Sequence, residues 1–232
     1  MCVSRFCRYD LRTTDVEAAR AFYQAVFGPS FWSGTVRSVP LPEAAAARGA
    51  PPHWLGHIST ADPEGVATRI VELGGIRLGP VRHDPDGTSH APVRDPFGAV
   101  LAIGQAHSSS TPNPVAWHLL HSTDERQASE VYADLFGWTL GESEDLAQLG
   151  LRHRPFTWDP PTGPVGGFTD AARQSHIHTQ WLYCFRVGDL ERAASQVLAE
   201  GGTVLEPSRT PLGVRVAGCE DAQGAAFALM EG

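Results

Sequence analysis

Charged and imidazole side chains alternate along two apolar stretches in the first half of the chain. Arg8 and Asp10 stand two positions apart, and His53 and His57 stand four apart. Because successive side chains of a β-strand point to opposite faces, the members of each pair share one face. Such a face could bind a polar or anionic small molecule, with a histidine available for proton transfer. The alternative is a water-filled barrel mouth with a structural ion pair, since buried charges need partners.

The second half of the chain places a different set of side chains on the corresponding face. Trp117 and His121 share one face of a predicted strand, and Gln180 and Cys184 share a face of another. Small residues, of which Ala228 is one, are predicted opposite them. A tryptophan and small residues around a cavity are typical of a site for an aromatic or apolar ligand. The sequence therefore predicts two binding faces, one charged and one aromatic.

The elements that position these side chains occur twice. Residues 15–28 return as residues 124–137, and a short predicted strand precedes each copy, at Phe6–Leu11 and at Ala116–His121. The spacing of apolar residues predicts that each repeated segment is a helix that packs a tyrosine against a sheet. Several identities keep the same spacing in both copies, and among them Asp15, Tyr23, Phe27 and Gly28 match Asp124, Tyr132, Phe136 and Gly137.

Capping patterns mark both ends of the repeated helices. Thr14 with Glu17, and Ser122 with Glu125, fit the capping box, in which a hydroxyl and a glutamate satisfy free backbone N–H groups. A glycine stands where each helix should end, which is the usual residue at that position. The repeated segments are therefore predicted as helices with defined ends.

The later motifs repeat as well, so the duplication covers the whole chain. The distance between the copies grows in the middle, which places an insertion at about 138–179. We predict a first domain at 1–106, a polar linker at 107–114 and a second domain at 115–232. The paired motifs are His53–Leu55 with Gln180–Leu182, Gly74–Gly75 with Gly201–Gly202, and Asp95–Gly98 with Asp221–Gly224.

In this order the motifs resemble the vicinal oxygen chelate superfamily, which includes glyoxalases, bleomycin-resistance proteins and extradiol dioxygenases. The resemblance rests on the Asp-x(7)-Tyr-x(3)-Phe-Gly helix, the tryptophan-containing strand, the Gly-Gly pair and the Asp-x-x-Gly turn, and it covers nearly the whole chain twice. It implies an α+β fold, namely a tandem repeat of glyoxalase-like domains. Each domain is expected to contain paired βαβββ modules that form a cupped mixed sheet around a ligand cavity.

The resemblance also implies a divalent metal ion, held by side chains from facing strands. Other residue types stand at three of the four ligand positions in both copies, and the fourth falls in a divergent segment. These positions are Arg8 and Trp117, Leu55 and Leu182, and Ala102 and Ala228. Since arginine has no acceptor atom for a metal, we predict neither a metal nor another cofactor. A divalent metal held by His118, His176 and His178 is the alternative.

Two classes of function are consistent with these residues. The first is a small-molecule-binding glyoxalase-like protein without the usual metal site, which acts in binding, sequestration or resistance. The second is an enzyme: a metal-dependent lyase, isomerase or dioxygenase of the superfamily, or a metal-free acid–base catalyst that uses His57 and Asp10. The sequence contains neither a nucleophile–base motif nor a nucleotide fingerprint, so the catalytic residues are unassigned.

The charge balance restricts the partners. The formal net charge of −8 argues against nucleic acid and against an anionic membrane surface. The 4 cysteines show neither metal-type spacing nor a disulfide framework. We therefore expect a cytoplasmic monomer or homodimer whose partner is a small molecule.

Overall fold

The computed structural model describes residues 4–32, 34–83, 87–105, 113–158, 162–210 and 213–232, apart from the side chain of Gln148. Most of the predicted linker at 107–114 therefore lies outside the described residues. The helices are α1 (Val16–Phe27), α2 (Glu43–Ala46), α3 (Pro63–Glu72), α4 (Glu125–Phe136) and α5 (Leu190–Ala199). The strands of the first copy are β1 (Arg5–Thr13), β2 (Val36–Pro40), β3 (His53–Ser59), β4 (Ile76–Arg77), β5 (Arg82–His83), β6 (Ser89–Arg94) and β7 (Val100–Gly104). Those of the second copy are β8 (Val115–His121), β9 (Thr139–Leu140), β10 (Glu144–Leu146), β11 (Leu151–Thr157), β12 (Gly166–Thr169), β13 (Gln180–Val187), β14 (Thr203–Val204), β15 (Ser208–Arg209), β16 (Arg215–Glu220) and β17 (Ala226–Glu231).

The strands form two mixed sheets, one from each copy. Among the described residues, the first sheet has the order β2-β1-β3-β7-β6-β4, and β5 also pairs with β6. The second has the order β10-β11-β12-β8-β13-β17-β16-β14, and β9 and β15 pair with β11 and β16. The pairs β1–β2, β3–β7, β8–β12 and β13–β17 are parallel, whereas β6–β7 and β16–β17 are antiparallel. The predicted α+β fold, with a mixed sheet in each copy, is confirmed.

Aspartates, rather than hydroxyl residues, cap the repeated helices. The carboxylates of Asp15 and Asp124 each accept a hydrogen bond from the backbone N–H three residues further on. The capping boxes predicted at Thr14 and Ser122 are therefore wrong, and the hydroxyl of Ser122 instead donates to the carbonyl of Thr169 at 3.0 Å. A carboxylate interacts favourably with the positive end of the helix dipole, which a neutral hydroxyl does less strongly.

The other predicted helix ends are confirmed. Gly28 and Gly137 follow α1 and α4 with φ angles of 94° and 71°, a region that residues with a Cβ rarely adopt. Asp62 caps α3 directly before a proline, and Asp189 caps α5.

Contacts within the chain define two compact units, and each is built from both copies. The first unit contains the described residues of 1–8, 56–108 and 118–181, and the second contains those of 9–55, 109–117 and 182–232. Each unit therefore combines half of one copy with half of the other. The domain boundaries given above follow the order of motifs in the sequence and stay a prediction.

A buried hydrogen-bonded network in the first unit explains how the copies combine. The hydroxyl of Tyr132 donates to Oδ2 of Asp95 at 2.8 Å and accepts from Nε1 of Trp181 at 2.9 Å. Oδ1 of Asp95 accepts three backbone N–H bonds within its own turn. Burial raises the pKa of Asp95, and the bond from Tyr132 and the backbone amides oppose that rise. Asp95 belongs to the first copy and its two partners belong to the second, so this network joins them.

The second unit contains the equivalent network with the copies exchanged. Nε1 of Trp54 donates to the hydroxyl of Tyr23 at 2.9 Å, and Asp221 lies close enough for its charge to act on that hydroxyl. Burial, followed by the charge of Asp221, raises the pKa of Tyr23. The tryptophans at 54 and 181 are 4% and 3% exposed, so both belong to the core.

Candidate functional site

A buried cluster of one guanidinium group and two imidazoles lies in the first unit. Nη2 of Arg8 is 3.2 Å from Nε2 of His57 and 3.4 Å from Nδ1 of His90. The two imidazole centroids are 4.8 Å apart, and the ring planes are inclined at 70°. None of the three residues is more than 5% exposed. The structure therefore brings together Arg8 and His57, as their strand positions predicted, and adds His90.

The chemistry of arginine fixes the protonation of this cluster. A guanidinium group donates hydrogen bonds and cannot accept them. The nitrogens that face Arg8, Nε2 of His57 and Nδ1 of His90, must therefore be acceptors. Each imidazole is neutral in this arrangement and carries its proton on the other ring nitrogen. The positive charge of the cluster lies on Arg8.

Strand register determines which imidazoles reach the guanidinium. His57 on β3 pairs with Ala102 on β7, and His90 on β6 pairs with Gly104, also on β7. A Cβ at Gly104 would lie 2.9 Å from the carbonyl oxygen of Ser89 and 3.2 Å from the Cβ of His90. The glycine therefore permits the close approach of β6. His90 gave no signal in the sequence, because the residues just before it have the composition of a turn.

The remaining predicted residues of the first copy lie in the second unit. Oδ2 of Asp10 accepts a bond from Nη2 of Arg12 at 3.2 Å, and the side chains are 4% and 13% exposed. Asp10 is therefore paired with a cation of its own strand. Nδ1 of His53 lies 2.8 Å from the carbonyl oxygen of Pro51, and burial lowers the pKa of this histidine.

Apolar residues occupy the corresponding positions of the second copy. Trp117, Cys184 and Met230 lie in the second unit and are 6%, 4% and 8% exposed. Cys184 pairs with Ala228 on the neighbouring parallel strand, and burial raises the pKa of its thiol to about 12. The register places Met230 where the first copy has Gly104. Apolar side chains therefore occupy positions at which the first copy has Arg8, His57 and a glycine.

Two further histidines lie in register across three strands of the first unit. Thr169 on β12 pairs with His121 on β8 and with His153 on β11, so the three side chains share one face. Nδ1 of His121 lies 2.9 Å from Oγ1 of Thr169. Burial lowers the pKa of His121 to about 4 and also lowers that of His153, so both imidazoles are neutral near pH 7. Gln180 lies in the same unit and is partly exposed.

The residues at the family's metal positions do not fit a divalent ion. A guanidinium group fills the first-strand position of the first copy, where it bonds to imidazoles, and alanines stand on the last strands. By the internal symmetry, the fourth position falls on β2 and β12, where Arg37 and Thr169 face the same side as the first-strand residues. Among the described residues, histidine, cysteine and acidic side chains form no group of three that could hold a metal ion.

The alternative trio of histidines is not assembled either. His118 is buried and stacks on Phe6 with ring centroids 4.8 Å apart. Its Nδ1 lies 2.9 Å from the carbonyl oxygen of Val165, and burial lowers its pKa to about 4. His176 and His178 are exposed, and the three do not meet in a metal-binding group.

The helices were also compared with the length and polarity needed to cross a bilayer. Across the described ranges, none is long and apolar enough to do so.

The fold defined by these sheets occurs in solved structures over the full length of the chain. A Mn(II)-bound glyoxalase from Novosphingobium aromaticivorans matches 99% of this chain and 81% of its own, with a TM-score of 0.61 and 12% sequence identity. At this level of identity the likeness establishes the fold alone. The chain therefore has the fold of this glyoxalase.

Sequence relatives make the assignment more specific, although no family model matches. "Putative glyoxylase CFP32" of Mycobacterium tuberculosis is 28% identical over 247 residues, which cover 96% of this chain and 92% of CFP32. The anthracycline biosynthesis protein DnrV of Streptomyces peucetius is 28% identical over 263 residues, which cover 96% of this chain and 91% of DnrV. Over nearly its whole length, the chain is therefore similar in sequence to these relatives and in fold to the glyoxalase.

Proposed function

We propose that this protein binds a small anionic molecule at the Arg8 cluster without the superfamily's usual metal ion, in a binding, sequestration or resistance role. The observation that carries the proposal is the position of Arg8, which stands where a first-strand ligand is expected and bonds to His57 and His90. A permanent cation replaces the metal ligand there. The positive charge that the metal would bring is therefore supplied by the chain itself.

The geometry of a guanidinium group suits a ligand with two neighbouring oxygens. Its N–H groups form a planar fork that matches a carboxylate or a similar oxygen pair, and charge-assisted bonds of this kind are strong. Because His57 and His90 are neutral while they accept from Arg8, they orient the guanidinium without cancelling its charge. Burial of the cluster lowers the local dielectric constant, which strengthens the attraction to an anion.

The names of the relatives also favour a small-molecule partner. CFP32 is named as a glyoxylase, and DnrV is named for the biosynthesis of an anthracycline. Both names refer to the chemistry of small molecules. They support the class of ligand and leave its identity open.

The first test separates the metal-free proposal from a metal-dependent enzyme. Purified protein is analysed for bound metal, and thermal unfolding is measured with and without Ni²⁺, Zn²⁺, Mn²⁺ and Fe²⁺. We expect substoichiometric metal and no specific stabilisation, because the residues at the ligand positions cannot coordinate these ions. Stoichiometric metal, or specific stabilisation by one of the ions, would contradict the proposal.

The second test measures the contribution of Arg8 to ligand binding. Anionic metabolites are screened by thermal shift, and the affinity of any stabilising compound is measured with Arg8→Met. The matched control is Arg5→Met, because Arg5 lies on the same strand and is exposed. We expect the Arg8 variant to lose about tenfold or more in affinity, as for the loss of a charge-assisted bond, while the Arg5 variant binds normally. Arg8→Lys keeps the charge and covers the case in which Arg8→Met fails to fold. Unchanged affinity in Arg8→Lys and Arg8→Met would contradict the proposal.

A metal-free acid–base enzyme is the second candidate, and one arrangement favours it. His121 and His153 flank Thr169 on one face, and burial keeps both imidazoles unprotonated near pH 7. A neutral imidazole has a free lone pair, with which it can accept a proton from a carbon next to a carbonyl group. Exchange of such protons for deuterium in a panel of carbonyl compounds, followed by NMR, tests this candidate. We expect His121→Gln to abolish any exchange that the protein catalyses, and a rate unaffected by this change would rule it out.

A further inference from the structure

A groove in the second unit is unrelated to the histidine clusters. It has a volume of about 840 Å³ and lies where the end of α1, the turn after it, the end of β13 and the start of α5 meet. This volume is within the range of roughly 300–1,000 Å³ that is typical of small-molecule sites. Its principal lining residues are Phe27, Phe31, Val187, Ala193, Arg186 and Arg192.

The floor of the groove is aromatic and aliphatic. Phe27 and Phe31 stack with ring centroids 4.6 Å apart and planes inclined at 15°. Phe31, Val187 and Ala193 are 6%, 9% and 6% exposed, so they belong to the core and present only an edge to the groove. Such a floor favours the flat apolar body of an organic molecule over a bare inorganic ion.

Two guanidinium groups stand at the rim of this floor. Arg186 and Arg192 are both exposed and both line the groove. Within the ranges that the structure describes, neither guanidinium forms an ion pair. The acid that lines the groove, Asp189, caps α5 by accepting the backbone N–H of Arg192 at 2.9 Å. The groove therefore has an excess of positive charge in a protein whose formal net charge is −8.

The position of Arg192 is unfavourable for the helix that carries it. Arg192 lies in the first turn of α5, which begins at Leu190. The N-terminal turn of a helix favours anions and disfavours cations, because the helix dipole is positive at that end. The dipole of α5 therefore does not stabilise this arginine, whereas an anion bound at the rim would.

We infer that the groove binds a small organic anion with an aromatic or apolar body. The carboxylate or equivalent group lies against Arg186 and Arg192, and the body covers the stacked phenylalanines. Complementarity of charge at the rim and of polarity at the floor defines this ligand class. The site is independent of the Arg8 cluster, so each can fail without the other.

Isothermal titration of the full chain with naphthalene-2-carboxylate tests this site. The neutral isostere 2-naphthamide is titrated in parallel. Arg192→Gln removes one cation, and its control is Arg126→Gln, because Arg126 is exposed in the first turn of α4 and does not line the groove. Ala25→Trp fills the groove, and its control is Ala21→Trp, an exposed position of the same helix outside it.

The expected pattern has four parts. Naphthalene-2-carboxylate binds, and 2-naphthamide binds about tenfold or more weakly. Arg192→Gln and Ala25→Trp each lower the affinity for the carboxylate about tenfold or more, whereas both control variants bind it normally. Arg8→Met leaves this binding unchanged. Absence of carboxylate binding, equal binding of the amide, or equal effects of groove and control variants would each overturn the inference.

Discussion

Replacing Tyr132 by phenylalanine removes one hydroxyl from the network that joins the two copies in the first unit. That hydroxyl donates to Asp95 at 2.8 Å and accepts from Trp181 at 2.9 Å. A hydrogen bond to a charged group contributes about 1.5–3 kcal/mol and one between neutral groups about 0.5–1.5 kcal/mol. Phenylalanine keeps the packing of a side chain that is 1% exposed. We therefore expect Tyr132→Phe to lower the free energy of unfolding by about 2 to 4 kcal/mol.

The cost of this substitution should depend on pH. Burial raises the pKa of Asp95 above its ordinary value of 3.8, and the bond from Tyr132 opposes the rise. The folded state therefore holds this proton more tightly than the unfolded state, so stability falls as pH rises through the raised pKa. Loss of Tyr132 raises that pKa further. The variant should consequently be destabilised more at about pH 7 than at about pH 4, close to the ordinary pKa of the group.

Urea unfolding at both pH values measures these differences. The control is Tyr9→Phe, because the hydroxyl of Tyr9 accepts one bond, from Nδ2 of Asn113 at 3.0 Å, and no carboxylate takes part in that bond. We expect a cost of about 0.5–1.5 kcal/mol for this variant. A cost below about 1 kcal/mol for Tyr132→Phe, or the same cost at both pH values, would refute the reasoning.

Three further predictions concern single residues. Gln223→Ala should cost about 1–2 kcal/mol in urea unfolding, because Gln223 exchanges two hydrogen bonds with the backbone of Asp15; an unchanged midpoint would contradict this. Gly167→Ala should destabilise the protein or displace His153, since an added Cβ would overlap its imidazole ring; equal thermal stability and an unchanged His153 resonance would refute the clash. Cys184 should not react with a thiol reagent in the folded protein near pH 8, because burial raises its thiol pKa to about 12; labelling without unfolding would show otherwise.

The sequence located most elements of the fold because local chemistry specifies them. A glycine with positive φ ends α1 and α4, as predicted, and aspartates at 62 and 189 begin α3 and α5. The same reasoning placed the caps of α1 and α4 on hydroxyl residues, at Thr14 and Ser122. The actual caps are the aspartates that follow closely in the chain, because a carboxylate can accept the same backbone N–H bonds. Strand alternation predicted that Arg8 and His57 face one side, but it could not show that they touch.

The candidate site depended on contacts that no local pattern encodes. His90 reaches Arg8 because β6 pairs with β7 in one register and Gly104 leaves room for it. Asp10 instead forms an ion pair with Arg12, so the guanidinium of Arg12 balances its negative charge. The groove at Arg186 gave no sequence signal, because its walls come from distant helices.

The sequence by itself determined the duplication, the helix ends and the residue types at the family's metal positions, because each depends on neighbours in the chain or on spacing. Only the tertiary structure decided which half of one copy shares a core with which half of the other. Asp95 of the first copy accepts a hydrogen bond from Tyr132 of the second, and the sequence of neither copy indicates this pairing. Local dihedral preferences and caps act over a few residues. Strand register and burial act between distant segments, and they selected the partners of Arg8 as well as the walls of the groove.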